Sequence, residues 1–151
     1  MINYSLLTDV SIQLLPNFKG ELKYQNEGDS GFDLTAGIDE PITLEPNETK
    51  LIPNGFKLSI PNNTEVQVRS RSGLSLKHGI VVKNSPGTVD SGYRGELATI
   101  LYNSSDKSFT INPGDRIAQA VLCPIRKANF TFVSELSDST RGTGGFGSTG
   151  V

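Results

Sequence analysis

The sequence predicts an all-β fold, a sandwich or barrel of short strands, and three observations carry that expectation. Apolar residues alternate with polar ones at a period of two, turn-forming clusters recur between these runs, and helical periodicity is nearly absent. Successive strand side chains point to opposite faces, so such a pattern buries one face and wets the other.

Val10-Ser11-Ile12-Gln13-Leu14 is the first alternating run. Glu65-Val66-Gln67-Val68-Arg69 is the next, with its valines on one side and its polar groups on the other. Between it and the next strands lies the one modest helix candidate, Ser72 to His78, about two turns at most. Ile80-Val81-Val82 and Leu97-Ala98-Thr99-Ile100-Leu101-Tyr102 are more continuously apolar, as expected where both faces are covered. Phe109-Thr110-Ile111 and Ala118-Gln119-Ala120-Val121-Leu122 continue the series. Pro53-Asn54-Gly55, Pro61-Asn62-Asn63, Ser85-Pro86-Gly87 and Asn112-Pro113-Gly114 separate the runs. They combine the fixed φ of proline with the permissive dihedrals of glycine and asparagine. No internal repeat is present.

A chain of 151 residues fits one domain with a real core and little for a second. The formal net charge of −2 gives no general attraction to nucleic acid or to an anionic membrane, although a local site for a small anion remains open. Cys123 is the single cysteine, which excludes an intrachain disulfide and a cysteine zinc cluster. Its setting, Ala120-Val121-Leu122-Cys123-Pro124, reads as a buried strand end rather than a nucleophile. No run approaches the ~20 apolar residues of a membrane span. The first residues lack the basic start and apolar run of a secretion signal, so cytoplasm is expected.

From Ser137 onward the composition changes, with Phe146 and Val151 nearly the only apolar side chains and five glycines within residues 142–150. Such a segment cannot bury enough surface to offset its backbone entropy, and a disordered terminus is one reading. The other is a loop that orders over a ligand, since Arg141 and Phe146 offer a cation and a flat apolar face.

Five of the six arginines fall in or beside glycine-containing blocks: Arg69 and Arg71 before Gly73, Arg94 before Gly95, Arg116 after Gly114, and Arg141 before Gly142. A guanidinium is a rigid fork of donors suited to phosphate oxygens, and glycine permits close backbone approach. Ser72, Ser148 and Thr149 add hydroxyls. A polyphosphate site follows as a general reading, although each block alone also suits a turn with a solvated charge. GxxxxGK[ST] does not occur, and GxGxxG occurs only within the glycine-rich tail (Gly142 to Gly147 and Gly145 to Gly150), away from any strand-then-helix pattern, so P-loop and dinucleotide-fingerprint folds have no support.

Gly87-Thr88-Val89-Asp90-Ser91-Gly92-Tyr93-Arg94-Gly95 reads as a hairpin that turns at residues 90–92. It sets a carboxylate and an aromatic ring three positions apart around one bend. Asp90 can orient and deprotonate a water while Tyr93 lies against a sugar or base. An Asx-type turn followed by a packing tyrosine fits the same residues.

Five ordered motifs then cover most of the chain. They are Gly28-Asp29-Ser30-Gly31-Phe32-Asp33-Leu34-Thr35-Ala36; Arg71-Ser72-Gly73-Leu74-Ser75 with Lys77-His78-Gly79; Gly87 through Val89-Asp90, Tyr93 and Gly95; Pro113-Gly114-Asp115-Arg116-Ile117-Ala118-Gln119; and Arg141 to Gly150, which ends in GGFGSTG. In this order the chain resembles the homotrimeric dUTP pyrophosphatase (dUTPase) family.

The resemblance implies a distorted β-barrel or jelly-roll sandwich over residues 1–136 and a mobile arm over 137–151 that closes an active site. It implies three sites where subunits meet, and Mg²⁺-dependent hydrolysis of dUTP to dUMP and pyrophosphate. Asp90 would be the general base. Tyr93 would stack on deoxyribose and leave no room for a 2′-hydroxyl. Asn84 and the backbone of Gly87, Thr88 and Val89 would read uracil. Arg71, Ser72 and Gly73 of a neighbouring subunit, with Gln119, would hold phosphates. Phe146 would cover uracil, while Arg141, Gly147, Ser148 and Thr149 complete the phosphate grip. Asp33 and Arg116 would organise the site, and the metal would be held by phosphates and waters with no direct protein ligand. His78 is read as a structural donor.

Three positions depart from the family pattern. Ser70 stands where proline is common, which implies a less rigid turn. Gly92 replaces a common acidic residue, and Thr143 a common glutamate. A dCTP deaminase of similar fold is the alternative enzyme, and a catalytically silent nucleotide-binding regulator is the alternative outside enzymes. The hairpin and the tail favour the dUTPase.

Overall fold

The computed structural model describes residues 7–148 and contains eleven strands and one short helix among them. In chain order the strands are β1 (Ser11–Leu14), β2 (Phe32–Thr35), β3 (Ile42–Leu44), β4 (Thr49–Pro53), β5 (Phe56–Ser59), β6 (Thr64–Arg69), β7 (Ile80–Val82), β8 (Gly87–Asp90), β9 (Ala98–Asn103), β10 (Phe109–Ile111) and β11 (Arg116–Pro124). The helix α1 (Ser72–His78) falls where the sequence placed it. It ends at Gly79, whose φ of 67° is the left-handed conformation that closes helices and favours glycine.

The strands form a four-stranded sheet in the order β2-β11-β6-β8 and a three-stranded sheet in the order β4-β9-β7. Two antiparallel pairs, β1-β5 and β10-β3, complete the all-β, jelly-roll-like architecture. The long strand β11 is the spine of the larger sheet, pairing with β2 through Gln119↔Asp33 and with β6 through Gln119↔Arg69. Val66 and Val68 of β6 point into the core beside Leu34, Phe56, Ile80, Leu101, Ile111 and Ala120, all buried. Each buried aliphatic side chain contributes about 1.5–3 kcal/mol. The period-two reading of residues 65–69 is therefore correct in both strand type and face.

Buried polar groups in the core are paired. Asn54 donates from Nδ2 to the Thr35 carbonyl at 3.0 Å, and Thr99 donates its hydroxyl to Asn54 Oδ1 at 3.1 Å. Asn103 donates to the Leu44 carbonyl at 3.0 Å. Without such partners each would cost about 1–3 kcal/mol.

Four sequence expectations need correction. Residues 98–103 alternate between half-buried and buried rather than being covered on both faces, because β9 lies in a sheet with one inner and one outer face. All four residues of β1 are exposed in the single chain, so their alternation gives a strand without a covered face. The segment around Asp90 is a tight bend but not a two-stranded hairpin: β8 pairs with β6, whereas β9 pairs with β4 and β7. The chain changes sheets there. Cys123 is half-buried rather than buried, one residue before the end of β11.

After Pro124 no strand or helix is formed among the described residues, and residues 126–143 are exposed. Phe130, Phe132, Val133 and Leu136 stand out from the body of the chain.

Candidate active site

The residues of the first, second and fourth motifs meet in a polar cavity of about 380 Å³. Strand β2 brings Asp33, β11 brings Arg116 and Gln119, and the start of α1 brings Ser72 and Gly73, with Arg71 just before it. Asp33 holds two guanidinium groups at once, with Oδ1 3.2 Å from Arg71 Nε and Oδ2 3.4 Å from Arg116 Nη1. Arg71 Nη1 also donates to the Arg116 carbonyl at 3.0 Å. One carboxylate thus keeps two like charges side by side, and their remaining N–H groups are available to an anion.

Gln119 is set by a hydrogen bond from Nε2 to the Ser70 carbonyl at 3.0 Å. Glycine at position 31 makes room for it, since a Cβ there would stand 2.9 Å from Gln119 Oε1. Ser70 is linked to β7: its Oγ accepts from the Val82 N–H at 2.8 Å.

The third-motif residues form a separate cavity of about 330 Å³. Asn84, Gly87, Thr88, Val89, Asp90 and Tyr93 line it, with apolar surface from Leu97 and Ile100. The bend is closed by the Tyr93 N–H donating to the Asp90 carbonyl at 3.0 Å, and the Tyr93 hydroxyl donates to the Glu96 carbonyl at 2.9 Å. Gly95 is required beneath the ring, because a Cβ there would collide with the Tyr93 hydroxyl. Asp90 is exposed at the end of β8 and stands directly opposite Glu65 of β6.

In the single chain the two cavities share no lining residue, and among the described residues none of the tail lines either one. Arg141 is occupied within the tail, donating from Nε to the Gly144 carbonyl at 2.8 Å. Phe146 is fully exposed, and Gly147 and Ser148 are exposed beside it. Thr149 lies outside the described residues. His78 packs its ring 5.1 Å from that of Phe109 and lines neither cavity.

Sequence reasoning passed over Gln25 and Asn26, which also line the polar cavity, and Glu96, which lines the other. Asp29, Ser30 and Gly31 were visible only as motif members without a role. Asn26 is tied to the first motif by a local turn: its N–H donates to Asp29 Oδ2 at 2.9 Å, and its carbonyl accepts from the Asp29 N–H at 3.2 Å. Among the described residues no helix is long and apolar enough to cross a membrane.

Fold and cavities together define an all-β, jelly-roll-like protein with two arginines, Arg71 and Arg116, paired at a polar cavity. A family model described as dUTPase matches residues 20–150. The deoxyuridine 5′-triphosphate nucleotidohydrolase of Chlamydia pneumoniae is 55% identical over 134 residues, covering 87% of this chain and 92% of that protein. That of Rickettsia felis is 46% identical over 146 residues, covering 96% and 99%. Among solved structures, a mutant dUTPase of Staphylococcus bacteriophage 80alpha with dUpNHpp superposes with a TM-score of 0.85 at 30% identity, over 95% of this chain and 99% of that one. A mutant dUTPase from phage phi11 of S. aureus, described with a structural Mg(II) ion, gives 0.77 at 25% identity, over 86% and 99%. The chain belongs to the dUTPase family and is a hydrolase.

Proposed function

We propose that this protein hydrolyses dUTP to dUMP and pyrophosphate by in-line attack of water at the α-phosphorus, in a homotrimer whose three sites are shared between subunits. The observation that carries this reading is the second cavity, where Asp90, the Tyr93 ring, Asn84 and the β8 backbone surround one small volume. Uracil meets Asn84 and the main chain of residues 87–89, whose direction-specific donors and acceptors distinguish one base edge from another. The Tyr93 ring packs on deoxyribose, and a 2′-hydroxyl finds no room there. Asp90 takes the proton of the attacking water.

Arg71, Ser72, Gly73 and Gln119 of a second subunit receive the phosphates, with Asp33 fixing Arg71 and Arg116. The tail of a third brings Phe146 over uracil and Arg141, Gly147, Ser148 and Thr149 to the phosphates, excluding water. Oriented donors around the departing pyrophosphate stabilise charge as it develops. No carboxylate in the motifs is placed to protonate that leaving group, and none is needed where cations already neutralise it.

Among the described residues no group of three or more His, Cys, Asp or Glu could hold a metal ion. The carboxylates of the polar cavity are engaged, Asp33 with arginines and Asp29 with Asn26. The remaining guanidinium, amide and hydroxyl donors suit phosphates that carry their own cation. Bound through the triphosphate, Mg²⁺ supplies charge neutralisation on the phosphate oxygens.

The assembly reading has its own support. Exposed Phe130, Phe132, Val133 and Leu136 are an apolar surface that a second copy of the chain would cover. This activity keeps uracil out of DNA and supplies dUMP for thymidylate synthesis, in the cytoplasm with the DNA-precursor pool. Pyrophosphate and ammonia release, followed in parallel with dUTP and dCTP, test it. Pyrophosphate from dUTP with no ammonia from dCTP is expected. Ammonia from dCTP points to a deaminase, and neither product to a nucleotide-binding protein without turnover.

A further inference from the structure

Tyr93 leans on Glu96 for its position. Its hydroxyl donates to the Glu96 main-chain carbonyl at 2.9 Å, three residues downstream. That contact is local and would not by itself fix the ring. The Glu96 side chain is what ties the segment to the body of the protein: Oε1 accepts from the Gly55 N–H at 3.0 Å and from Asn17 Nδ2 at 2.8 Å. Asn17 in turn donates from the same amide to the Gly37 carbonyl at 2.8 Å. Gly55 belongs to the turn between β4 and β5 and has a φ of 79°, which favours glycine there. One carboxylate oxygen therefore joins the tyrosine bend to two segments 41 and 79 residues earlier in the chain. The same residue lines the cavity that holds Asp90 and Tyr93.

We infer that Glu96 is a positioning residue for sugar selection: it sets the place of the Tyr93 ring through its carbonyl, while its carboxylate anchors that carbonyl to Gly55 and Asn17. This rests on the reading of Tyr93 as the wall against a 2′-hydroxyl. A wall discriminates only as well as its position is defined, because a ring free to shift by about 1 Å can admit the extra oxygen. Glu96 touches no nucleotide in this account and acts through Tyr93 alone.

The test is the ratio of kcat/KM for dUTP to that for UTP in purified full-length enzyme. Glu96→Ala should narrow the ratio roughly tenfold, the scale of one lost charge-assisted contact, and chiefly by raising turnover of UTP. Glu96→Gln keeps an oxygen in the accepting position and should stay within about threefold of the parent. Tyr93→Phe keeps the ring, drops only its bond to the Glu96 carbonyl, and should narrow the ratio in the same direction as Glu96→Ala. In Tyr93→Ala the wall is gone, and adding Glu96→Ala to it should change the ratio no further, whereas independent effects would multiply. If Glu96→Ala fails to fold, Glu96→Asp decides: it keeps the charge but is one methylene too short to reach both donors, and a narrowed ratio is expected. Tyr93→Ala narrowing the ratio while Glu96→Ala or Glu96→Asp leaves it unchanged would overturn the role of Glu96. An unchanged ratio in Tyr93→Ala itself would instead overturn the reading of the sugar wall.

Discussion

Asp33 and Asp90 stand on the two edge strands of one four-stranded sheet, both on its outer face. Asp33 lies in the row of Gln119 and Arg69, and Asp90 in the row of Glu65, four residues further along β6. Three strand spacings separate them across the sheet, about 14 Å, with about 13 Å more along the strands. The arginine pair held by Asp33 and the proposed base therefore stand well apart on that face rather than around a common phosphorus within one chain. The sheet between them keeps them apart, which supports the proposed sharing of the site between subunits.

Replacing Asp90 by Asn should retain the bend, whose closing bond runs from the Tyr93 N–H to the Asp90 main-chain carbonyl. The base is lost and the shape is kept. We expect kcat to fall by ~10²–10⁴-fold with dUTP still bound. Steady-state kinetics with a binding measurement check this, and near-normal turnover would remove Asp90 from the role.

Asp33→Asn should act differently. The amide cannot pair with two guanidinium groups, so Arg71 and Arg116 repel each other and lose their fixed direction. The expected result is a KM for dUTP raised roughly tenfold, with a smaller change in kcat, as for a group that orients ground-state phosphate contacts. A purely catalytic defect with unchanged KM would contradict the organising role.

The pair Glu65 and Asp90 suggests a gain rather than a loss. They are direct cross-strand neighbours of like charge, an arrangement that is destabilising. Glu65 Oε1 also accepts from Gln67 Nε2 at 2.7 Å, a bond that glutamine at position 65 can preserve through its own Oε1. Glu65→Gln should raise stability by about 0.2–1 kcal/mol. Thermal melts at low and high salt check it: the gain should shrink as salt screens the repulsion, and a lowered Tm at both would refute it.

Much of this architecture was legible because strand identity is written in local alternation. Residues 64–69, 80–82 and 116–124 form strands where short apolar runs predicted them, and α1 sits where the only helix candidate lay. Ile42–Leu44 was too short to show a period. Phe56–Ser59 does alternate, buried and half-buried, but is hemmed in by turn residues that dominated the reading of that stretch. Local pattern also cannot say what covers a face, hence the exposed β1, nor which strand a turn leads to, hence the change of sheet after Asp90. The motif order brought out most residues of the polar cavity and the Asp90 bend of the other, but not Gln25, Asn26 or Glu96. Glu96 escaped because its bonds reach Gly55 and Asn17, far back in the chain, and no spacing records them.

The tail predicts a ligand-dependent protease sensitivity. Arg141 is exposed, and among the described residues its Nε is held by the nearby Gly144 carbonyl alone. Five glycines within residues 142–150 raise the entropy cost of ordering, so contacts from Arg141 and Phe146 to a nucleotide must offset it. Trypsin should cut after Arg141 readily in the free protein and much more slowly with a non-hydrolysable dUTP analogue. Cleavage at Arg126 and Lys127, outside the proposed lid, reports any general protection. Equal rates at Arg141 in both states would count against closure.

Subunit complementation tests the shared site most directly. One variant carries Asp90→Asn, and the other ends after Thr140, so that each lacks a different part. A site works when its Asp90 comes from the truncated chain and its tail from the Asp90→Asn chain. In cyclic trimers formed by random mixing each condition holds half the time, and about a quarter of the sites should carry both parts intact. Mixing requires co-expression or co-refolding, since assembled trimers need not exchange subunits. A mass measurement should first give three chains per particle, and each parent alone should be nearly inactive. Activity close to a quarter of that of the unaltered enzyme is then expected in the mixture. A mixture no more active than its parents would place base and tail on the same chain, while a truncated parent that remains fully active would make the tail dispensable.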